Sequence, residues 1–413
     1  MEEIAQSVDA FFRLMPLPAE GHTIDLSNPL DMLYLNGDKT ELEKALKLFR
    51  KNGGLKRYRL AQSDNVQKVL EEIAAIGPDK ISPILYESYS ENLRKAVDQV
   101  FKRDSDTDLS DRLRANVSCF AAYKALKVTR EVQQKLGEDI DEAGRVIRTY
   151  NRHQATEYNT TVSRSRTAKQ FEQFNSPDSL RLFPNLRWLP SRSADPREQH
   201  MLFYNKVWAK DDDFWNENTP GSLWNCKCDW EETDDPVTQG NPQGNKSAKG
   251  LCGNPAKMGE VFTTVESENE NKDKGYEAHP YFATQKGEKN YKIVYTTMRK
   301  SCMSFALKEV KGKMVERKEL DKPILFSRNS INEYLNQPTD YYIEKNEFIR
   351  VLINRLKSAE YMGYTFSEGR TSYIFKTKIK GKICYLIANK SDDTNIYFHS
   401  VTFSNKVLND INK

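Results

Sequence analysis

The sequence predicts a multidomain chain, α at its front and α+β at its end: a helical N-terminal bundle, a loop-rich tryptophan core, and a C-terminal helix on a small antiparallel sheet. Three observations predict it. Apolar residues recur at three- and four-residue steps over roughly the first 170 residues, all five tryptophans fall between Phe183 and Trp230, and strand-like alternation broken by turn signals follows Glu347. At 413 residues the chain exceeds one ordinary core, and about 150 residues per domain gives two or three units. Charged residues make up 30% against 38% hydrophobic, which excludes disorder throughout and predicts packed cores with strongly solvated surfaces.

Thr40-Glu41-Leu42-Glu43 is a capping box, with Leu42, Ala45, Leu46 and Phe49 on one face until Asn52-Gly53-Gly54 stops the helix. Similar amphipathic segments run Val66 to Ala75, Ile84 to Phe101, Asp111 to Leu136 and Ile140 to Tyr158, and their stripes require partners. The five tryptophans, interleaved with Pro, Asp and Asn, predict a compact core held by indole burial rather than by aliphatic periodicity. Gln239 to Gly250, rich in Gly, Asn, Gln, Ser and Lys, reads as a linker or long surface loop, and Tyr291 to Thr296 as a short strand.

The last part begins at Lys322. A helix from Glu347 to Tyr361 carries Phe348, Val351, Leu352, Leu356 and Ala359 on one stripe. Strands Tyr373 to Ile379 and Ile383 to Ile387 flank a Lys380-Gly381-Lys382 turn, and Ser391 to Thr394 turns into a strand from Ile396 to Phe403. The expected domains are therefore 1–110, 111–232, a connecting 233–321, and 322–413.

No apolar run approaches the ~18 residues of a membrane span, and the acidic start Met1-Glu2-Glu3-Ile4 lacks the basic opening of a signal peptide, so a soluble chain made in the cytoplasm with no membrane role is expected. Net charge is only +4, but Lys322 to Lys413 holds 14 Lys and Arg against 9 Asp and Glu, which concentrates the positive excess at the C-terminal end. Of the cysteines at 119, 226, 228, 252, 302 and 384, only Cys226 and Cys228 are close in sequence; reduced thiols or a metal site fit better than a disulfide framework.

Trp188-Leu189-Pro190, Asp195-Pro196-Arg197, His200, Asp213-Phe214-Trp215 and Trp224-Asn225-Cys226-Lys227-Cys228 form an ordered series of uncommon residues. In it the chain resembles the phage Mu protein F-like family of minor head morphogenesis proteins, most strongly from Gly144 to Trp230 and more broadly over residues 1–282, with Asn254 to Lys257 and His279-Pro280-Tyr281-Phe282 following the core. The resemblance implies a few copies per capsid at the portal or head interior, portal and other head proteins as partners, and a virion location as well as the host cytoplasm.

The residues themselves leave three readings. Thiolates and imidazole are good zinc ligands, and His200, Cys226 and Cys228 offer three, with Cys252 or Asp195 as a fourth. The plainer reading buries the cysteines as small apolar groups, bonds His200 to Asp195 or a backbone carbonyl, and pairs Arg197 with Asp211, Asp212 or Asp213. A Cys–His nucleophile is a third arrangement, but no oxyanion-hole loop is recognisable.

The C-terminal part resembles, on element order, on Phe326-Ser327-Arg328-Asn329-Ser330 and on its position behind a head module, the phage-associated nuclease domains of the barnase, EndoU, colicin and RelE group. That resemblance implies RNA cleavage with no cofactor, and a dedicated immunity protein as a partner. His399 or Glu368 would serve as base or acid, Arg328, Arg370 and Lys390 would hold the phosphate, and Ser400 or Thr402 would position it. Alternation places Lys376, Lys378 and Lys380 on one face for an RNA backbone, with Tyr373, Tyr385 and Tyr397 for stacking. Against this, His399 alternates with the apolar Tyr397, Val401 and Phe403, and a run of lysines is commonly just a solvated face. The alternative function is a purely structural minor capsid protein whose basic end binds RNA, DNA or a head partner without catalysis.

Overall fold

A computed structural model describes residues 54–101, 107–193, 196–367, 369–390, 395–409 and 411–412, with side chains from residue 65 onward. The helix expected from Thr40, its Gly54 stop apart, lies outside them; Gly54 itself opens a helix. Five long helices begin the described chain: α1 (Gly54–Ala75), α2 (Pro83–Val100), α3 (Asp108–Leu136), α4 (Ile140–Arg152) and α5 (Gln154–Phe174). The chain divides into two compact units, one holding the described residues up to Ala75 with Val132–Ala155, the other Ile76–Glu131 with Thr156–Lys413. In the first unit α1 packs on α4, burying Val66, Val69, Leu70 and Ile73 with Ala143 and Ile147. Asp139 caps α4 by accepting from the Asp141 and Glu142 amides.

In the second unit α3 is the central helix. Leu113, Val117, Phe120, Ala121, Ala125 and Leu126 are fully buried, and the Phe120 ring stacks on Phe262 with centroids 3.8 Å apart. Asn116 secures the same contact, donating to the Phe262 carbonyl and accepting from the Val261 and Phe262 amides. A three-stranded antiparallel sheet of order β2-β1-β3 follows, made of β1 (Asn185–Leu189), β2 (Val207–Ala209) and β3 (Asp229–Thr233). Trp188 pairs with Trp230 across it. Trp188, Trp208, Trp215 and Trp230 cluster with Phe171 and Phe203, whereas Trp224 packs instead on Phe262 and His279.

The chain then enters α6 (Glu288–Glu309), β4 (Met314–Val315), β5 (Ile324–Leu325), α7 (Arg328–Asn336), α8 (Tyr342–Glu347), a 3₁₀ turn at Phe348–Arg350 and α9 (Leu352–Ser358). Four longer strands complete it: β6 (Glu360–Ser367), β7 (Arg370–Ile379), β8 (Lys382–Lys390) and β9 (Ile396–Thr402). Among the described residues they form one six-stranded sheet of order β4-β5-β9-β8-β7-β6, antiparallel except for the parallel β5/β9 pair. The hairpin expected at Lys380-Gly381-Lys382 forms, but its turn is only two residues: Lys380 and Gly381 have positive φ, 51° and 72°, and Lys382 already pairs with Ile379 in the strand.

Several expectations are corrected. Tyr291 to Thr296 is helical, inside α6, because Val294, Met298, Cys302 and Ala306 recur every four residues and are buried; its β-branched residues suggested a strand. The single helix from Glu347 to Tyr361 is broken at the 3₁₀ turn, and Tyr361 already belongs to β6. The helix from Ile140 ends at Arg152, and α5 carries the chain on to Phe174. Gln239 to Gly250 is irregular yet tied down: Asn241 donates to the Val207 carbonyl, Asn245 to that of Gln199 and Ser247 to that of Glu217. The C-terminal core does not begin at 322, since Cys302, Ala306, Val310 and Val315 share one buried cluster with Ile324, Phe375, Leu386 and Phe398.

Candidate functional site

Trp188, His200, Trp215, Cys226, Cys228 and Trp230 of the ordered series converge in space, while Trp224 packs elsewhere. His200, on a helical turn after β1, places Nδ1 3.3 Å from Cys226 Sγ and 3.6 Å from Cys228 Sγ. The three ligand atoms lie within 4.8 Å of one another, a group able to hold a metal ion. All three residues are buried, at 2%, 5% and 8% exposure. The other ring nitrogen, Nε2, hydrogen-bonds Ser222 Oγ at 3.2 Å, and the Trp188 ring meets the imidazole edge-on. Among the described residues the His200 ring therefore meets Ser222 and the two cysteines rather than a backbone carbonyl or a carboxylate; Asp195 lies outside the described residues. Arg197 donates to the Trp224 carbonyl rather than to Asp211, Asp212 or Asp213. Cys252 stands apart, its sulfur bonded to the Glu277 backbone.

The two sulfurs differ electrostatically. A hydrogen bond from Cys228, against the opposing effect of burial and with help from His200, holds the Cys226 thiol well below its ordinary range. That same bond, and then burial, pushes Cys228 up.

The C-terminal candidates disperse. His399 lies on β9 at a bulge: Ile387 pairs with Ser400 and Ala388 with Phe398, so His399 is skipped. The bulge breaks the alternation, leaving Phe398 and Val401 buried while the His399 side chain is 40% exposed. Its Nδ1 lies 3.3 Å from Glu333 Oε2 on α7, a partner that residue order did not suggest. Glu368, the expected companion, lies outside the described residues. Arg328 is exposed at the start of α7 and Arg370 at the start of β7. Lys390 is paired with Asp321 at 2.8 Å. Lys390 and Thr402 flank opposite ends of the β8/β9 pairing, aligned with Ile396 and Tyr385 respectively, about 17 Å apart along β8, so they do not meet at one phosphate.

The lysine face is also largely occupied. Lys376 pairs with Glu360, and Lys380 with both Glu344 and Glu266, which hold its ammonium above the ordinary lysine range despite burial; Lys378 is exposed. Ser400 and Tyr385 are buried, and Tyr385 hydrogen-bonds Asn405, so neither reaches a ligand from the surface. Tyr373 packs against the sheet core, leaving Tyr397 partly exposed.

No family model, curated protein or solved structure matches the chain. Among the described residues, no helix is long and apolar enough to cross a membrane.

Proposed function

We propose that the chain is a phage or prophage minor head protein, associated with the portal, whose C-terminal sheet cleaves RNA without a metal ion. The assembly half is supported by the convergence of Trp188, His200, Trp215, Cys226, Cys228 and Trp230 of the ordered series in one core. The observation that carries the catalytic half is the His399–Glu333 pair, an imidazole fixed by a carboxylate at a partly exposed strand bulge. Glu333 anchors Nδ1, and among the described residues no partner occupies Nε2.

In this reading Nε2 takes the proton of a ribose 2′-hydroxyl as its oxygen attacks phosphorus. The P–O5′ bond breaks, and the leaving oxygen takes a proton from a general acid, giving a 2′,3′-cyclic phosphate and a 5′-hydroxyl. Arg328, on the same helix as Glu333, and Arg370 are the exposed cations available to the phosphorane charge.

A second reading, a purely structural head protein whose basic end binds nucleic acid or a head partner, is favoured by one observation: the sheet is built into the helical unit. Arg355 of α9 pairs with Asp111 of α3 at 2.6 Å, and the Gly381 amide donates to Asp108. Incubating the full chain with single-stranded RNA in buffer without added divalent metal separates the two. Cleavage lost in His399→Ala supports the enzyme; intact RNA in both proteins supports the structural reading.

A further inference from the structure

We propose that His200 Nδ1, Cys226 Sγ and Cys228 Sγ bind one zinc ion, which fastens the closing Trp224-to-Cys228 turn to the helical turn after β1. The inference is independent of RNA cleavage. A tetrahedral zinc with bonds of about 2.3 Å to sulfur and 2.0–2.1 Å to nitrogen separates a nitrogen from a sulfur ligand by roughly 3.6 Å. The observed separations, 3.3 and 3.6 Å, sit at that spacing for both sulfurs.

A metal-free dithiol explains the arrangement less well. Two sulfurs converge on one Nδ1, whose single in-plane position serves one hydrogen bond in either protonation state. The Trp188 indole N–H, packed against the same imidazole, is buried with no acceptor other than the Cys228 sulfur, which as a metal-bound thiolate keeps lone pairs for such a donor. Ser222 Oγ at Nε2 is the outer partner expected of a ligating histidine, fixing the tautomer that frees Nδ1.

Charge also balances. Two thiolates and a neutral imidazole cancel the dication, so the buried site needs no further anion, and among the described residues no other His, Cys, Asp or Glu joins the group. The fourth donor need only be neutral, water being the smallest. On binding, each S–H bond breaks and its proton goes to solvent as a Zn–S bond forms; nothing is oxidised or reduced.

The test uses the full chain, expressed in zinc-supplemented medium and assayed for bound metal, then exchanged with cobalt(II). One zinc per chain is expected, with tetrahedral d–d bands and a thiolate-to-cobalt charge-transfer band in the exchanged protein. Cys226→Ser and Cys228→Ser should each lose the metal or one thiolate contribution to that band, and Cys252→Ser should retain both. Should the ligand variants fail to fold, zinc release from the unaltered chain, titrated with a thiol-modifying reagent, should track modification of two cysteines. A metal-free chain, a cobalt spectrum without thiolate bands, zinc release unrelated to thiol modification, or a mass two hydrogens low from a Cys226–Cys228 disulfide would each overturn the proposal.

Discussion

The imidazole of His399 on β9 is held 3.3 Å from the carboxylate of Glu333 on α7. The contact follows from how α7 packs: Ile331, Tyr334 and Leu335 turn inward to the sheet core, leaving Glu333 on the open side beside β9. The bulge at His399 then lifts its side chain out of the apolar row that Phe398 and Val401 continue.

If this pair is the catalytic base and its anchor, His399→Ala should lower RNA cleavage by about a hundred- to ten-thousand-fold. Glu333→Gln should lower kcat by less and leave KM unchanged, with partial recovery in Glu333→Asp. Because the pair is partly exposed and solvent-screened, neither change should alter stability in urea denaturation by more than about 1 kcal/mol. Equal losses in KM and kcat for the Glu333 variant would point to RNA binding instead.

The tryptophan core should be the costliest place to remove a ring from the front half. Trp188 is fully buried against Trp215, Phe203 and His200, so Trp188→Ala should destabilise the chain by about 3–5 kcal/mol in urea denaturation, and Trp188→Phe by less. A loss under about 1 kcal/mol would show that the cluster is loosely packed.

His279 predicts a pH dependence. Burial first, then the nearby Lys124 and Lys249, lowers its pKa to about 3, against about 6.5 in an unfolded chain. Between those values the unfolded state binds a proton that the folded state refuses, so this contribution is fully present above about pH 6.5 and is lost as the pH falls toward 3. His279→Asn keeps an acceptor for the Tyr281 amide and removes the titration. The unfolding midpoint of the native chain should fall more steeply than that of this variant between pH 6 and 4; parallel curves would contradict the assignment.

A fragment of residues 322–413 should not unfold cooperatively, because it lacks Cys302, Ala306, Val310 and Val315 from its own core and Asp111, the partner of Arg355. Thermal denaturation followed by circular dichroism checks this. A sharp transition would restore the autonomous C-terminal domain that residue pattern alone suggested.

Local signals in the sequence were reliable where a single physical rule decides the outcome. The Lys380-Gly381 hairpin is legible because strands of clear alternation flank a turn that needs positive φ at both residues, and the α2 and α3 stripes because helices must bury one face. The candidate metal ligands were legible as residue types; only folding shows that Cys252 stands apart and that Ser222 takes Nε2. Long-range pairings were not legible. Glu333, Glu266 and Asp321 lie far in sequence from His399, Lys380 and Lys390, so a lysine triplet that alternation placed on one face gave no sign of the carboxylates that occupy two of its members. The helix at Tyr291 was hidden because β-branched residues raise strand propensity, whereas the four-residue spacing from Val294 to Ala306 decides the packing.

The central claim is that this chain is an enzyme acting on RNA through His399. It is tested most directly by identifying the ends left on a defined single-stranded oligoribonucleotide after incubation with the full chain. The account predicts 2′,3′-cyclic phosphate and 5′-hydroxyl termini, absent with His399→Ala. Uncut oligonucleotide, or the same ends at undiminished rate with the variant, would contradict it.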